Sequence, residues 1–149
     1  ARYAGYMEAA CKLDIKVAPE YVVQLEPDYP EKRYFPHWDV HYDYVASQIR
    51  QGVKAWMCAS ELAAHELYKG LKTRGFKVPK DVAITGFDAA DNSGLVDLAL
   101  ASVRVHAQEM GAGAVRLLIS RMNNPSIPRQ VLKYDCDFVE GKSIGDISG

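Results

Sequence analysis

Short apolar runs alternate along this chain with longer stretches in which apolar residues recur every three or four positions. An apolar run at residues 55–59 is followed by Ser60, a residue type that caps helices, and then by helical spacing over residues 61–74. Gly75 marks the end of that helix, and a second apolar run at residues 82–87 follows it. This order of strand, helix and strand predicts a βαβ unit, and therefore a parallel sheet.

The other elements follow from the same two periodicities. Helical spacing predicts three further helices, at residues 2–13, 39–51 and 107–122. Extended segments are predicted from β-branched, aromatic or alternating residues at 21–25, 100–105 and 131–139. Strands that alternate with helices in this way predict an α/β fold with a doubly wound parallel sheet.

Length and charge limit the class of protein. The chain has 149 residues, of which 48% are hydrophobic and 25% charged, so we expect one folded domain with a substantial core. The net charge of −1 argues against binding nucleic acid through the field of this domain. The most basic stretch, residues 69–80, is interrupted by apolar residues and is interpreted as a solvated helix face and turn.

The three cysteines, at positions 11, 58 and 136, do not have the spacing of metal ligands. Their odd number favours free thiols, and Cys58 and Cys136 lie inside apolar runs. We therefore expect small buried side chains in a reducing compartment. The sequence shows neither an apolar stretch of membrane-spanning length nor a signal peptide, so no membrane partner is predicted.

Motifs for catalysis, metals and cofactors are weak. His37 and His41 flank Asp39, but two imidazoles without a third ligand do not make a zinc site. Residues 111–116 begin like a dinucleotide fingerprint, yet they lie inside a helical pattern and are interpreted as a close-packing face. No phosphate-binding lysine loop or nucleophilic serine elbow is present. The sequence therefore predicts no catalytic residue, no metal and no cofactor.

Polar residues follow three of the predicted strands. The strands ending at Leu25, Ala59 and Phe87 would deliver their following residues to one edge of a parallel sheet. The first of these strands is followed by residues 26–38, which contain three prolines and four aromatic residues, a composition typical of a functional loop or a packing flap. Small ligands bind at such an edge in open parallel sheets, so we expect a ligand site there.

Four side chains are predicted to bind a hydroxyl-rich ligand such as a sugar. Arg2 and Asp88 would form paired hydrogen bonds, Ser60 would add a hydroxyl, and Trp38 or Phe35 would stack on the ring. Three of them also have an ordinary structural interpretation. Asp88 is suited to a turn or cap, Arg2 to a solvated chain end, and Trp38 to the core.

The order of motifs resembles a known family. Residues 2–6 (Arg-Tyr-Ala-Gly-Tyr), residues 71–82 with Arg-Gly-Phe-Lys-Val-Pro-Lys-Asp-Val, and residues 85–88 (Thr-Gly-Phe-Asp) are similar to effector-binding domains of lactose-repressor (LacI/GalR) transcription regulators. The segments at 110–115 and 138–143 resemble that family's last helix and tail. The resemblance spans nearly the whole chain.

The resemblance implies a periplasmic-binding-protein-like (type I) fold, in which two α/β lobes hold an effector between them. It also implies that Arg2, Ser60 and Asp88 contact the effector. Family members usually have Ala-Asn-Asp where this chain has Ala-Ser-Glu at residues 59–61. The implied function is cytoplasmic sensing of a small molecule, expected to be a sugar, by a transcription regulator.

The resemblance further implies that residues 1–149 are a partial effector-binding domain, mainly its C-terminal lobe, without the helix-turn-helix domain that binds DNA. The helix at 107–122 corresponds to a crossover helix that packs onto the other lobe. Without that lobe, we expect Met110, Leu117 and Leu118 to pack back on their own sheet or against a second copy in a homodimer.

Two other functions fit the same pattern. An extracytoplasmic sugar-binding protein of the same fold would serve transport instead of transcription. An enzyme of the doubly wound class would need an acid or base with a perturbed pKa at the edge, for which Asp88 and Glu61 are the available residues.

Overall fold

The computed structural model describes residues 2–23, 38–89 and 98–145, with Trp38 described by its backbone alone. Four α-helices and four strands lie in these ranges. In chain order they are α1 (Arg2–Lys12), α2 (Trp38–Arg50), β1 (Ala55–Met57), α3 (Glu61–Thr73), β2 (Ala83–Phe87), β3 (Ala101–Val105), α4 (Ala107–Asn123) and β4 (Cys136–Val139).

The predicted βαβ unit is present as β1, α3 and β2. Strands β1 and β2 pair in parallel, with Trp56 opposite Ile84. The Oγ atom of Ser60 accepts a hydrogen bond from the backbone N–H of Ala63 at 3.2 Å, which caps the start of α3. Gly75 follows the helix with a φ of 83°, a conformation that suits glycine.

The sheet has the order β1-β2-β3-β4, in which the first three strands are parallel and β4 is antiparallel to β3. The parallel prediction is therefore confirmed for β1 to β3 and is wrong for β4. Val105, the last residue of β3, pairs with Cys136, the first residue of β4. The chain therefore leaves β3 and enters β4 at the same end of the sheet, where α4 and the segment after it connect the two strands.

The core lies where α3 packs against the sheet and against α2. Gly70 of α3 leaves room for the Tyr42 ring of α2, since a Cβ at this glycine would lie 2.5 Å from ring atoms. Helix α3 packs on β2 and α2 packs on α3, and side chains from these elements form one close-packed cluster. The buried cluster consists of Tyr42, Val45, Ala46, Ile49, Ala64, Leu67, Leu71, Val82, Ile84 and Leu100.

A buried serine near the end of the described chain joins two strands. Ser143 donates a hydrogen bond from its Oγ to the carbonyl of Ile84 at 2.6 Å and accepts one from the N–H of Ala101 at 2.8 Å. Its own carbonyl accepts from the N–H of Ile84 at 2.9 Å. The tail therefore satisfies backbone groups of β2 and β3 that the strand ladder leaves free.

Two predicted strands differ from the structure. The segment at 21–25 is not a strand in its described part: Pro19 opens a short 3₁₀-helix, Pro19–Tyr21, because its fixed φ suits a helical turn. Residues 24 and 25 lie outside the described residues. In the segment at 131–139 only β4 forms, since Leu132 and Tyr134 pack beside Gly113 of α4 instead of extending the strand.

Helix α4 leaves apolar side chains exposed, which contradicts the expectation that it packs back on its own sheet. Met110 is 46% exposed and Leu118 is 60% exposed, while Leu117 is half-buried. The exposed apolar residues of α4 are Met110, Val115, Leu118, Ile119 and Met122. Within the described ranges, no helix has both the length and the apolar character needed to cross a bilayer.

Candidate functional site

Two neighbouring strands end beside the start of α1. An arginine from that helix reaches both of them: the Nη2 atom of Arg2 lies 2.6 Å from Oδ2 of Asp88, and its Nη1 donates to the carbonyl of Ala59 at 2.5 Å. The guanidinium also lies over the ring of Phe87, 4.3 Å from its centroid. The prediction that Arg2 and Asp88 meet at this edge of the sheet is confirmed.

The backbone at the end of β2 explains how Asp88 is positioned. Asp88 has a φ of 69°, in the left-handed region, which costs a non-glycine residue roughly 1 kcal/mol. The next residue, Ala89, donates its N–H to the carbonyl of Val103 at 3.0 Å, so β3 holds the turn in place. Strained residues of this kind concentrate at ligand sites, where the surrounding structure holds a side chain in position.

A close contact between β2 and α3 brings the capped helix start to the same edge. A Cβ at Gly86 would lie 3.1 Å from the Cα of Glu61 and 3.4 Å from the Oγ of Ser102. Only a residue without a side chain allows this approach at no steric cost. Gly86 thereby places the start of α3, with Ser60, next to the strand end that carries Asp88.

The Arg2–Asp88 pair is accessible to a ligand. The two side chains are 43% and 42% exposed. Exposed ion pairs of this kind contribute at most about 1 kcal/mol to stability, because water competes for both charges. A ligand that offers hydroxyl groups to both side chains can therefore open the pair at little cost.

Ser60 has the structural role of a helix cap as well as its position at the edge. Ser60 is half-buried, and its Oγ accepts the hydrogen bond of Ala63, so the hydroxyl proton is available for donation to a ligand. A hydroxyl in this position can donate to a ligand oxygen while it continues to cap α3.

The aromatic part of the predicted site is only partly described. Trp38 is the first residue of α2, and its side chain is not described; Phe35, like the rest of residues 24–37, lies outside the described residues. The aromatic ring that the structure does place at the edge is Phe87, which sequence reasoning treated as a strand residue. The sequence signal for Phe87 was its position directly before Asp88, because consecutive residues at the end of a strand lie at the same edge of the sheet.

Other candidate chemistry receives no support from the described part of the chain. His37 of the possible metal pair lies outside it, and no group of three His, Cys, Asp or Glu side chains within it is arranged to hold a metal ion. Burial raises the pKa of the Cys58 thiol to about 12, so this thiol is protonated at neutral pH. Cys136 is exposed, which corrects the expectation that it is buried. Residues 90–97, which follow the same strand end in the sequence and include a second carboxylate at Asp91, lie outside the described residues.

The fold and this edge define the class of protein. A family model described as a periplasmic binding protein-like domain matches residues 1–144. The chain therefore belongs to the periplasmic binding protein-like domain family.

Similar proteins extend that assignment. The HTH-type transcriptional repressor PurR of Pasteurella multocida is 25% identical over 147 residues, which cover 96% of this chain and 41% of that protein. The transcription regulator CcpA of Lactococcus lactis has a TM-score of 0.76 at 21% identity, covering 97% of this chain and 50% of that one. These matches confirm the resemblance to the effector-binding domains of LacI/GalR regulators.

A third match carries a ligand. A LacI family transcriptional regulator from Enterococcus faecium with bound ribose has a TM-score of 0.61 at 22% identity, covering 68% of this chain and 38% of that chain. The present chain thus spans about two fifths of the length of PurR and of this regulator.

Proposed function

We propose that this chain is the sugar-sensing part of a LacI/GalR-type transcription regulator and carries mainly the C-terminal lobe of the effector-binding domain. The observation that carries the proposal is the Arg2–Asp88 pair across the ends of β1 and β2. The regulator acts in the cytoplasm and contacts DNA through a helix-turn-helix domain outside these residues.

Pairs of charged groups suit the hydroxyls of a sugar. The carboxylate of Asp88 accepts hydrogen bonds from two neighbouring hydroxyls, and the guanidinium of Arg2 donates to a third oxygen. Ser60 donates its free proton, and Trp38 supplies a face for the ring. The ribose in the regulator from Enterococcus faecium supports a sugar as the ligand class.

Ligand binding would act by shifting a population of conformations. The edge forms one wall of a cleft, and the other lobe forms the opposite wall. A sugar that contacts both walls binds the closed arrangement more tightly than the open one, so it shifts the equilibrium towards closure. The change in lobe placement then alters the spacing of the DNA-binding domains across a homodimer.

The exposed side of α4 has a place in the same proposal. Val115, Leu118 and Ile119 are each more than half exposed, which is uncommon for neighbouring residues on one helix of a monomer. The other lobe of the same domain covers this side of the helix. The equivalent helix of a second copy is the alternative cover, and the structure of the intact protein distinguishes the two.

Titration calorimetry of the intact protein with a panel of pentoses, hexoses and disaccharides tests the sugar assignment. We expect one sugar to bind with a Kd in the micromolar range, and Asp88→Ala to weaken it by at least about tenfold, since hydrogen bonds to a charged group contribute about 1.5–3 kcal/mol. Asp88→Asn, which keeps the shape and loses the charge, should retain part of the affinity.

The matched control is Glu140→Ala, which removes an exposed carboxylate at the opposite end of the sheet, because β4 ends beside the start of β3. It should bind the same sugar with unchanged affinity. Equal affinity of wild type and Asp88→Ala would contradict the proposed site, and the absence of binding by any sugar in the panel would contradict the ligand class.

A further inference from the structure

A basic cleft lies at the end of the sheet opposite to the Arg2–Asp88 edge. It has a volume of about 480 Å³ and is open to solvent. Four cationic side chains line it, and only one carboxylate does. The cations are Arg50, Lys54, Arg74 and Lys80, and the carboxylate is Asp81.

The fold brings these residues together from separate places in the sequence. Arg50 is the last residue of α2, Lys54 directly precedes β1, and Lys80 lies in the turn before β2. All three side chains are exposed. Because parallel strands begin at one edge and end at the other, this cleft is separate from the edge that carries Asp88.

Two of the five charged side chains in the cleft form polar contacts within the protein. Arg74 is occupied, since its Nε lies 2.6 Å from the carboxylate of Asp43. Asp81 is also occupied, because its Oδ2 accepts from the N–H of Lys77 at 2.7 Å. Among the described residues, by contrast, no carboxylate lies within salt-bridge distance of Arg50, Lys54 or Lys80.

The C-terminal ends of two helices offset part of the positive charge in the cleft. Helices α2 and α3 both end at the cleft, and a helix C-terminus carries a partial charge of about −0.5 that basic residues stabilise. Two such ends offset about one of the three unpaired positive charges, and Asp81 offsets another. About one positive charge remains, in a protein whose net charge is −1.

An aromatic ring fixes one of the cations. The guanidinium of Arg50 lies over the ring of Phe76, 5.4 Å from its centroid. A stacked guanidinium keeps its planar array of N–H donors pointing outward, whereas the two lysines act as mobile point charges. This combination of one oriented donor array and two point charges suits a tetrahedral oxyanion.

We propose that this cleft binds a phosphoryl group, either of inorganic phosphate or of a small phosphate monoester. Arg50 donates to two of its oxygens, and Lys54 and Lys80 neutralise its charge. Arg74 has a positioning role, because its bonds to Asp43 and to the carbonyl of Gly70 hold the floor of the cleft.

Calorimetry of the intact protein with inorganic phosphate, glycerol phosphate and glycerol tests this proposal. We expect at least one phosphoryl compound to bind, with an affinity that falls as potassium chloride is raised, and glycerol to show no binding. Binding of phosphate alone would identify the free ion as the ligand, and tighter binding of glycerol phosphate would identify a monoester. In Lys54→Gln/Lys80→Gln the affinity should fall by at least about tenfold.

The matched control is Lys12→Gln/Lys16→Gln, which removes two exposed lysines outside the cleft and changes the net charge equally. It should retain the affinity of wild type. Three results would overturn the proposal. An equal loss of affinity in both double variants would mean that only overall charge matters, and unchanged affinity in Lys54→Gln/Lys80→Gln would place the anion elsewhere. The third is the absence of binding at millimolar phosphate. The sugar experiment is independent, because it uses uncharged ligands and a different edge.

Discussion

The βαβ unit of β1, α3 and β2 and the arm formed by residues 107–139 both contain a helix with an apolar side, but they bury it to different extents. In α3, Ala64 and Leu71 have no measurable exposure, whereas in α4 the side chain of Met122 is 70% exposed. The difference is one of partners: α3 packs against both β2 and α2, whereas α4 leads away from the sheet. Similar periodicity therefore predicts a helix in both regions without predicting what covers it.

The largest expected effect separates the two helices directly. Leu71→Ala in α3 should lower the free energy of unfolding by about 2–5 kcal/mol, because it leaves a cavity in a fully buried site. Leu118→Ala in α4 removes the same atoms from a site that is 60% exposed and should change it by about 0.5 kcal/mol or less in this chain. Urea unfolding of both variants measures the difference, and equal losses would contradict it.

A smaller effect is expected where the chain returns from the arm to the sheet. Ser143→Ala should cost about 1–3 kcal/mol, since it leaves the carbonyl of Ile84 and the N–H of Ala101 buried without their side-chain partner. Ser126→Ala is the control, because Ser126 is exposed on the arm. Chemical denaturation should find the control close to wild type; a comparable loss in both would mean that the buried bonds contribute little.

Two glycines within α4 should respond in opposite directions. Gly111 has no neighbour within 4 Å of an added Cβ, so Gly111→Ala should stabilise the helix by about 0.5–1 kcal/mol. Gly113→Ala should instead destabilise, by about 1 kcal/mol or more, because the new methyl group meets Leu132 and the hydroxyl of Tyr134. Thermal unfolding would refute the packing of the arm if both variants were stabilised.

The smallest effect concerns pH. Burial lowers the pKa of His65 in α3 from its usual value near 6.5, and Glu61 opposes part of that change. The folded state therefore binds fewer protons than the unfolded state as pH falls below about 6.5, so the free energy of unfolding should decrease there. His65→Gln should show a smaller decrease between pH 7 and pH 5 in urea unfolding, and an identical profile would contradict the burial effect.

Sequence reasoning predicted the elements that local periodicity specifies. The capping serine at position 60 and the stop at Gly75 were sufficient to locate α3, and the alternation around residue 136 located β4. The direction of β4 was not predictable, because it depends on the path of α4 away from the sheet. The strand predicted from residue 21 does not begin there, because Pro19 opens a helical turn that includes Tyr21.

The site was predictable only where residues follow strands. Asp88 and Ser60 come directly after apolar runs, so the topology of a parallel sheet places them at one edge. The stacking of Arg2 on Phe87 was not predictable, since it depends on how the start of α1 lies against the sheet. The basic cleft was not predictable for the same reason. Arg50 and Lys54 precede the basic stretch at residues 69–80 by one strand and about two turns of helix, so only the fold brings them together.

A crystal structure of the intact protein with the sugar that calorimetry identifies tests the central claim most directly. The account predicts sugar oxygens within about 3 Å of both the Asp88 carboxylate and the Arg2 guanidinium, with their mutual ion pair opened or shared. A sugar bound elsewhere, with Arg2 and Asp88 still paired only to each other, would contradict it.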